Sequence, residues 1–215
     1  MILSPGRNYI FVHIPKTGGT SLAQALESRA MKDDILIGDT PKAMKRRGRL
    51  KALTAAGRLW KHSTLADIDG LMTPEEIAAM RVVTLVRNPW DRMVSYYHWL
   101  GQQVFDHEAV RLARTLDFAA FLHHPHTARS ISGWPVRRYL TDATGREHKA
   151  LCLRLEHLEA DAEPLWAHLG FRLEIPHENL SLRRPYREYY DAALRDHVAD
   201  LCAEDVARFG YSFDG

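Results

Sequence analysis

Short apolar runs alternate with polar stretches along the chain, and their spacing predicts its elements. Five of the six residues over 9–14 (Tyr9, Ile10, Phe11, Val12 and Ile14) are apolar and mostly β-branched or aromatic, the mark of a strand buried on both faces. Residues 81–86 and 149–155 repeat that pattern. Pro15 cannot donate to a sheet ladder and ends the first run. Each run leads into helical spacing. Leu22, Ala25 and Leu26 share one face of a helix expected to open at Thr20 or Ser21. Asn88, Pro89 and Asp91 form an N-cap, a first-turn proline and the closing acid of a capping box, ahead of an apolar face of Met93, Tyr97 and Leu100. Thr73-Pro74-Glu75-Glu76 opens a further helix that runs to about Met80. Residues 156–161 lead into a helix ending near Gly170, and one long amphipathic helix carries Leu194, Val198 and Leu201 to a stop at Gly210. The stretch 35–40 reads as a short strand or an extended loop, and 101–129 as helical and then irregular. Strand and helix in alternation predict an α/β fold of three layers, α/β/α, around a central parallel sheet.

Composition narrows the class. A length of 215 residues suits one domain, residues 1–215, with a sizeable core. Apolar residues at 46% and charged residues at 26% are those of a globular protein. A net charge of +2 does not imply nucleic acid, so the location of the charge matters more than its sum. Cys152 and Cys202 lie far apart and form no metal-ligand or redox spacing, so both are expected as buried thiols of a reducing compartment. No apolar run is long enough for a signal peptide or a membrane span, and a soluble cytoplasmic protein is expected.

The chemistry begins at His13-Ile-Pro-Lys-Thr-Gly-Gly-Thr-Ser-Leu22. Gly18 and Gly19 allow a tight turn and a close backbone approach. A strand, a glycine turn and a helix N-terminus aim unpaired N–H groups and the positive dipole end at one point, where a phosphate or sulfate ester belongs. Lys16 adds a full charge. The ordinary NTPase loop places its lysine after the last glycine; here Lys16 precedes both glycines. Taken alone, the segment also reads as a plain glycine turn beside a solvated lysine. A second motif, Arg87-Asn-Pro-Trp-Asp-Arg-Met-Val-Ser95, follows the second strand, at the strand end where open α/β sheets bind ligands. A guanidinium grips phosphate oxygens in pairs, and a hydroxyl eight residues on adds one more bond. Arg87 as a salt-bridge partner and Ser95 as a packed small residue is the plainer alternative.

Together, in this order, the two motifs resemble those of sulfotransferases that use 3′-phosphoadenylyl sulfate (PAPS), above all the carbohydrate sulfotransferases and their small bacterial relatives. The resemblance extends through Arg154-Leu-Glu156, Asp161 and the Asn179-x-Ser-x-Arg183 segment to Phe213, and leaves 30–60 unmatched. It implies a P-loop-like fold. It also implies transfer of a sulfuryl group from PAPS, which leaves as PAP, to an acceptor hydroxyl of a glycan or other small molecule, with no metal required. By that resemblance Lys16, Thr17, Gly18, Gly19, Thr20 and Ser21 bind the 5′-phosphosulfate, Arg87 and Ser95 the 3′-phosphate, and Arg183 or Arg184 closes over the same phosphate. A P-loop kinase or ATPase and a non-catalytic nucleotide-binding module remain as alternatives; the first lacks both a lysine after the glycines and magnesium ligands after a strand.

Acceptor chemistry needs a base near neutrality, which favours histidine, and the chain has twelve. His13 lies within the first strand, His98 far along the Arg87 helix, and His157 after a strand without an acceptor-side partner. His62, in Lys-His-Ser-Thr between the two motifs, resembles the base histidine of carbohydrate sulfotransferases; Ser63 or Thr64 capping a short helix through Ile68 is the structural alternative, and Glu27 the next base. His123, His124 and His126 flank a proline without carboxylate or thiolate partners and read as an exposed loop, not a metal site. Trp134-Pro-Val-Arg-Arg-Tyr-Leu140 mixes aromatics and arginines in a way that suits sugars, although aromatic core is the simpler reading. No acidic residue falls between Thr40 and Ala66 while eight cations do, from Lys42 to Lys61. This run reads as a solvated surface helix, an electrostatic funnel for anions, or a membrane-touching segment, in falling order.

Overall fold

A computed structural model of the chain describes residues 1–176 and 183–215. The chain divides into two compact units, residues 1–86 with 136–179 and residues 87–135 with 180–215. Asn179 and Ser181 of the Asn-x-Ser-x-Arg segment lie outside the described residues.

The first unit holds a five-stranded sheet of β1 (Ile2–Ser4), β2 (Tyr9–Val12), β3 (Ile35–Leu36), β4 (Arg81–Val86) and β5 (Ala150–Arg154), in the order β3-β1-β2-β4-β5. β2, β4 and β5 run parallel, with Tyr9 beside Arg81 and Val83 beside Leu151. The α/β fold expected from the periodicity is the observed one, and both faces of β2 are buried. At the other edge the sheet turns antiparallel, where β1 pairs with both β2 and β3. A three-residue strand leaves too short a pattern to read, but its turn is explicable. Asn8 takes φ 54°, its N–H bonds Pro5 O at 3.1 Å, and asparagine tolerates that left-handed backbone.

On one sheet face Tyr9, Phe11, Val83, Leu85 and Leu153 pack with Leu22, Ala23 and Leu26 of α1 (Gly19–Ser28) and with Leu165 and Trp166 of the helix Glu163–Leu169. The last of these helices stops at Gly170, in the left-handed conformation, as its sequence requires. Arg154 clasps Asp161 through Nε and Nη2 at 2.8 and 2.9 Å, which holds that carboxyl down at about 2 and gives the segment a structural role.

The basic run is folded. Thr40 caps α2 (Pro41–Arg46) and also donates to Glu27 at 2.5 Å. Lys42 donates to Glu27 O, Arg46 to Met31 O and Arg49 to Lys32 O, so three of the eight cations satisfy carbonyls at and beyond the C-terminal end of α1. Glu27, buried in the last turn of α1, is raised above the usual carboxylate range by that burial.

The second unit is helical: α3 (Pro74–Ala79) closes the first unit's run before β4, and α4 (Pro89–Gly101) opens the second. Around α4 the residues Trp90, Met93, Val94 and Leu100 pack with Val110, Phe118, Phe121, Leu194 and Val198. Several expectations give way here. Residues 118–123 and 125–132 are helices, not an irregular loop, because Asp117 and His124 cap them and Pro125 suits a first helical position. Trp134 is 38% exposed, whereas Val136, Tyr139 and Leu140 of the same segment are buried, as the core reading of that segment expects. The long final helix is two, Ala192–Leu201 and Ala203–Phe209, parted at Cys202, where φ −110° and ψ 20° leave helical geometry and the thiol is buried. Cys152 is only half-buried. Among the described residues no helix is long and apolar enough to cross a membrane.

One buried polar cluster in the first unit bears on stability. Asp142 accepts from His148 Nε2 at 2.6 Å, from the Thr144 hydroxyl and N–H at 2.6 and 2.9 Å, and from the Arg146 N–H at 3.1 Å. Burial alone would raise this carboxyl; the hydrogen bonds outweigh it and hold it at about 2. A depressed carboxyl stabilises the fold above its ordinary pKa, and that stability is lost as pH falls through the folded value. Asp142→Ala is expected to cost about 3 kcal/mol at neutral pH, the scale for leaving buried donors without their charged acceptor. Urea unfolding at pH 7 and at successive steps from 4 down to 2 checks this: the wild-type advantage over the variant should shrink across that acid window.

Candidate active site

The glycine loop is built by two large side chains that occupy the space a Cβ would need. Its backbone leaves β2 at Val12, two residues earlier than the apolar run suggests, and Thr17 Oγ1 turns back to donate to Ile14 O at 2.9 Å. Lys16 takes φ 66° and Gly18 φ 84°. A β-carbon on Gly18 would come 2.7 Å from Leu155 Cδ1, and one on Gly19 would come 2.2 Å from the His13 ring. Gly18 is therefore fixed twice over, by its left-handed backbone and by Leu155. Helix α1 starts at Gly19, one residue before the expected Thr20, because Gly18 occupies the cap position, where no side chain bonds the first turn. The first-turn N–H groups have no partner within the helix, so the loop carries the geometry of an anion cradle. Its lysine sits in a backbone region that costs a non-glycine residue about 1 kcal/mol.

His62 joins this loop. Its Nδ1 lies 2.8 Å from the carbonyl oxygen of His13, which can only accept, so Nδ1 carries the hydrogen and Nε2 the lone pair. The two rings stand 4.7 Å apart at 73°. Burial, then the charge of nearby Lys61, pulls His62 down to about 4 against the bond from His13, which raises it; burial also lowers His13 well below the ordinary histidine value. Both rings are neutral at pH 7. The segment is braced from behind: Leu65 donates to Tyr139 O at 3.0 Å, and Tyr139 leads into the Asp142–His148 cluster. Thr64 and Asp67 exchange hydrogen bonds at the start of a single 3-10 turn, Ala66–Ile68, in place of a short α-helix. Glu27 is eight residues along α1 from its first residue, about 12 Å at 1.5 Å per residue, and is taken up by Thr40. His157 is exposed.

In the second unit Arg87, Asp91 and Ser95 follow one another at four-residue intervals along the start and face of α4, where Asn88 caps the helix by accepting from the Trp90 N–H. Asp91 does not close a capping box. Its carboxylate takes Arg87 at 2.6–2.8 Å on Oδ2 and Arg183 on Oδ1, because two guanidiniums outbid one backbone N–H for it. Two arginines 96 positions apart in sequence thus meet on one acid. Asp91 is the residue the motif reading undervalued; its i, i+4 spacing from Arg87 was the available signal. His98 lies against Tyr189 OH at 2.8 Å and is lowered by burial and by Arg183 and Arg184. Arg184 stacks over the Tyr189 ring at 5.0 Å.

Elsewhere, His124 accepts from the His126 N–H, and among the described residues no group of three His, Cys, Asp or Glu is placed to hold a metal ion. A cavity of ≈ 530 Å³ lies at the N-terminal ends of β4 and β5, lined by Asn8, Arg81, Lys149 and His168, the end of the sheet opposite the glycine loop. Ligands of open α/β sheets bind at the carboxyl ends of the strands, which favours the loop.

No protein-family model and no curated protein sequence matches the chain. Among the solved structures that do match is the crystal structure of mouse sulfotransferase SULT7A1 complexed with PAP, with a TM-score of 0.54 over 95% of this chain and 86% of that one, at 17% sequence identity. At this identity the likeness is one of fold: the chain shares the overall architecture of that protein.

Proposed function

We propose that residues 1–215 serve one activity, transfer of a sulfuryl group from PAPS to an acceptor hydroxyl of a carbohydrate, in a soluble cytoplasmic enzyme. The observation that carries this reading is the lysine-first glycine loop, cradled by His13 and Leu155, with His62 locked against its base. The PAP-bound neighbour adds fold support. PAPS supplies the activated sulfuryl group and an oxygen leaving group on the 5′-phosphate. Lys16 and the N–H groups of residues 17–20 face the charge that develops on that oxygen, and Ser21 adds a hydroxyl to the first turn. The acceptor O–H gives its proton to His62 Nε2 as its oxygen bonds to sulfur and the bond from sulfur to the bridging oxygen breaks. His62 then holds the proton as an imidazolium whose Nδ1–H bond to His13 O strengthens. In the second unit Arg87, Arg183 and Ser95 suit the 3′-phosphate, with Asp91 tethering both guanidiniums.

Lys16→Ala should lower turnover by about a hundredfold or more, the usual loss for one such donor, with PAP affinity kept within a few-fold by the backbone cradle. Steady-state rates beside calorimetric PAP titration test it; full turnover in the variant would remove Lys16 from the chemistry.

Arg87→Ala should weaken PAP by about 1.5–3 kcal/mol, the worth of a charged hydrogen bond, and leave adenosine 5′-monophosphate nearly unaffected. Asp91→Ala should do the same in smaller measure, because it frees both guanidiniums from their shared orientation. Equal loss for the two nucleotides would place Arg87 away from the 3′-phosphate.

His62→Ala should abolish transfer while PAP still binds. In the wild type the acid limb of kcat/KM should fall near pH 4, not near the ordinary 6.5, since the free ring stays neutral down to about 4. The limb of kcat should lie higher, because a bound anion raises the pKa of a neighbouring imidazole. A pH profile whose acid limb is identical in a His62→Gln variant with residual activity would assign the base elsewhere.

A further inference from the structure

His62 shares its turn with an aromatic that the proposed chemistry leaves unused. The Trp60 ring stands edge-on to His62, centroids 5.0 Å apart and planes at 90°, yet 41% of Trp60 is exposed. The turn beneath it is rigid. Ser63, fully buried, accepts from the Trp60 N–H at 2.9 Å, and its hydroxyl reaches the carbonyl oxygens of Arg58 and Trp60 at 2.9 and 2.8 Å. The Arg58 guanidinium lies over the indole, 5.4 Å from its centroid. Arg58 is exposed, and no acidic residue occurs in the sequence between positions 40 and 66. Lys61, next in the chain, is held by Asp39 at 2.6 Å and sets the turn's other side. An indole held in water beside a base, with a cation across it, offers apolar area for the C–H face of a ring and charge for an anion.

We propose that Trp60 and Arg58 are the acceptor platform and that they select an anionic saccharide. A sugar ring stacks on the indole, and a carboxylate or sulfate ester on that ring or its neighbour pairs with Arg58. A hydroxyl of the same saccharide is thereby presented to His62 Nε2. An exposed turn suits a hydrated polymer better than a small phenol, which needs an enclosed apolar pocket. The outward cations of the 42–61 run extend the same attraction along a chain of negative charge. The assignment rests on His62 as base, and its test is chosen to separate the two.

The probes are a heparin tetrasaccharide and uncharged cellotetraose, titrated calorimetrically into the full chain without nucleotide. The heparin tetrasaccharide should bind about tenfold or more tighter than cellotetraose, and Trp60→Ala should lose about tenfold for both. Arg58→Ala should lose the preference for the anionic probe and keep the weaker neutral binding. PAP titration reports whether each variant is folded, and both should match the wild type. Trp60→Ala binding heparin as the wild type does, with PAP binding intact, would overturn the platform. So would turnover of a small phenol with kcat/KM unchanged in Trp60→Ala, which would leave the sulfotransferase reading standing. Trp60-dependent saccharide binding without any sulfuryl transfer would support the platform and overturn the reading on which it was built.

Discussion

The close packing of two side chains against two glycines is the constraint on which the glycine loop depends. The His13 ring fills the volume that a Gly19 side chain would take, and Leu155 fills that of Gly18. Each fixes the backbone from a different strand, His13 just past β2 and Leu155 just past β5, so the loop is clamped where parallel strands end together. A helix that begins without a side-chain cap would otherwise hydrate and fray. Here the clamp holds its first turn in place. The backbone carbonyl of the same histidine accepts from His62 Nδ1, so one residue both packs against the loop and sets the tautomer of His62.

Electrostatics in the second unit follow a similar economy. Two guanidiniums converge on a single carboxylate, which leaves a net positive cluster whose members repel one another less than they would bare. Both arginines are held on that one acid. Asp91 thus trades some electrostatic pull for orientation, and orientation is what a long, rotamer-rich side chain lacks.

The basic segment divides its cations between two tasks. Lys42, Arg46 and Arg49 terminate α1 by bonding carbonyls at its end, which is a structural use of charge. Arg58 and Trp60 ride instead on a turn tied by Ser63, three residues of scaffold ahead of a brace through Leu65 and Tyr139. A reading of the run by charge alone cannot make that division, because the composition of both parts is the same.

The sequence by itself determined the strands β2, β4 and β5, the helix starts at Pro74 and Pro89, the stops at Gly170 and Gly210, and the glycine turn between β2 and α1, since each rests on local rules: periodicity, fixed proline φ, and the left-handed freedom of glycine. It could not supply β1, whose three residues earn their place only by pairing with β2 and β3. Nor could it show that Asp91 would leave its helix end for Arg87 and Arg183, or that His13 would press on Gly19 and orient His62. Those contacts join residues four to 92 positions apart in the chain, and which of several possible partners wins a carboxylate or a ring face is decided by burial and competing donors that exist only once the chain is folded.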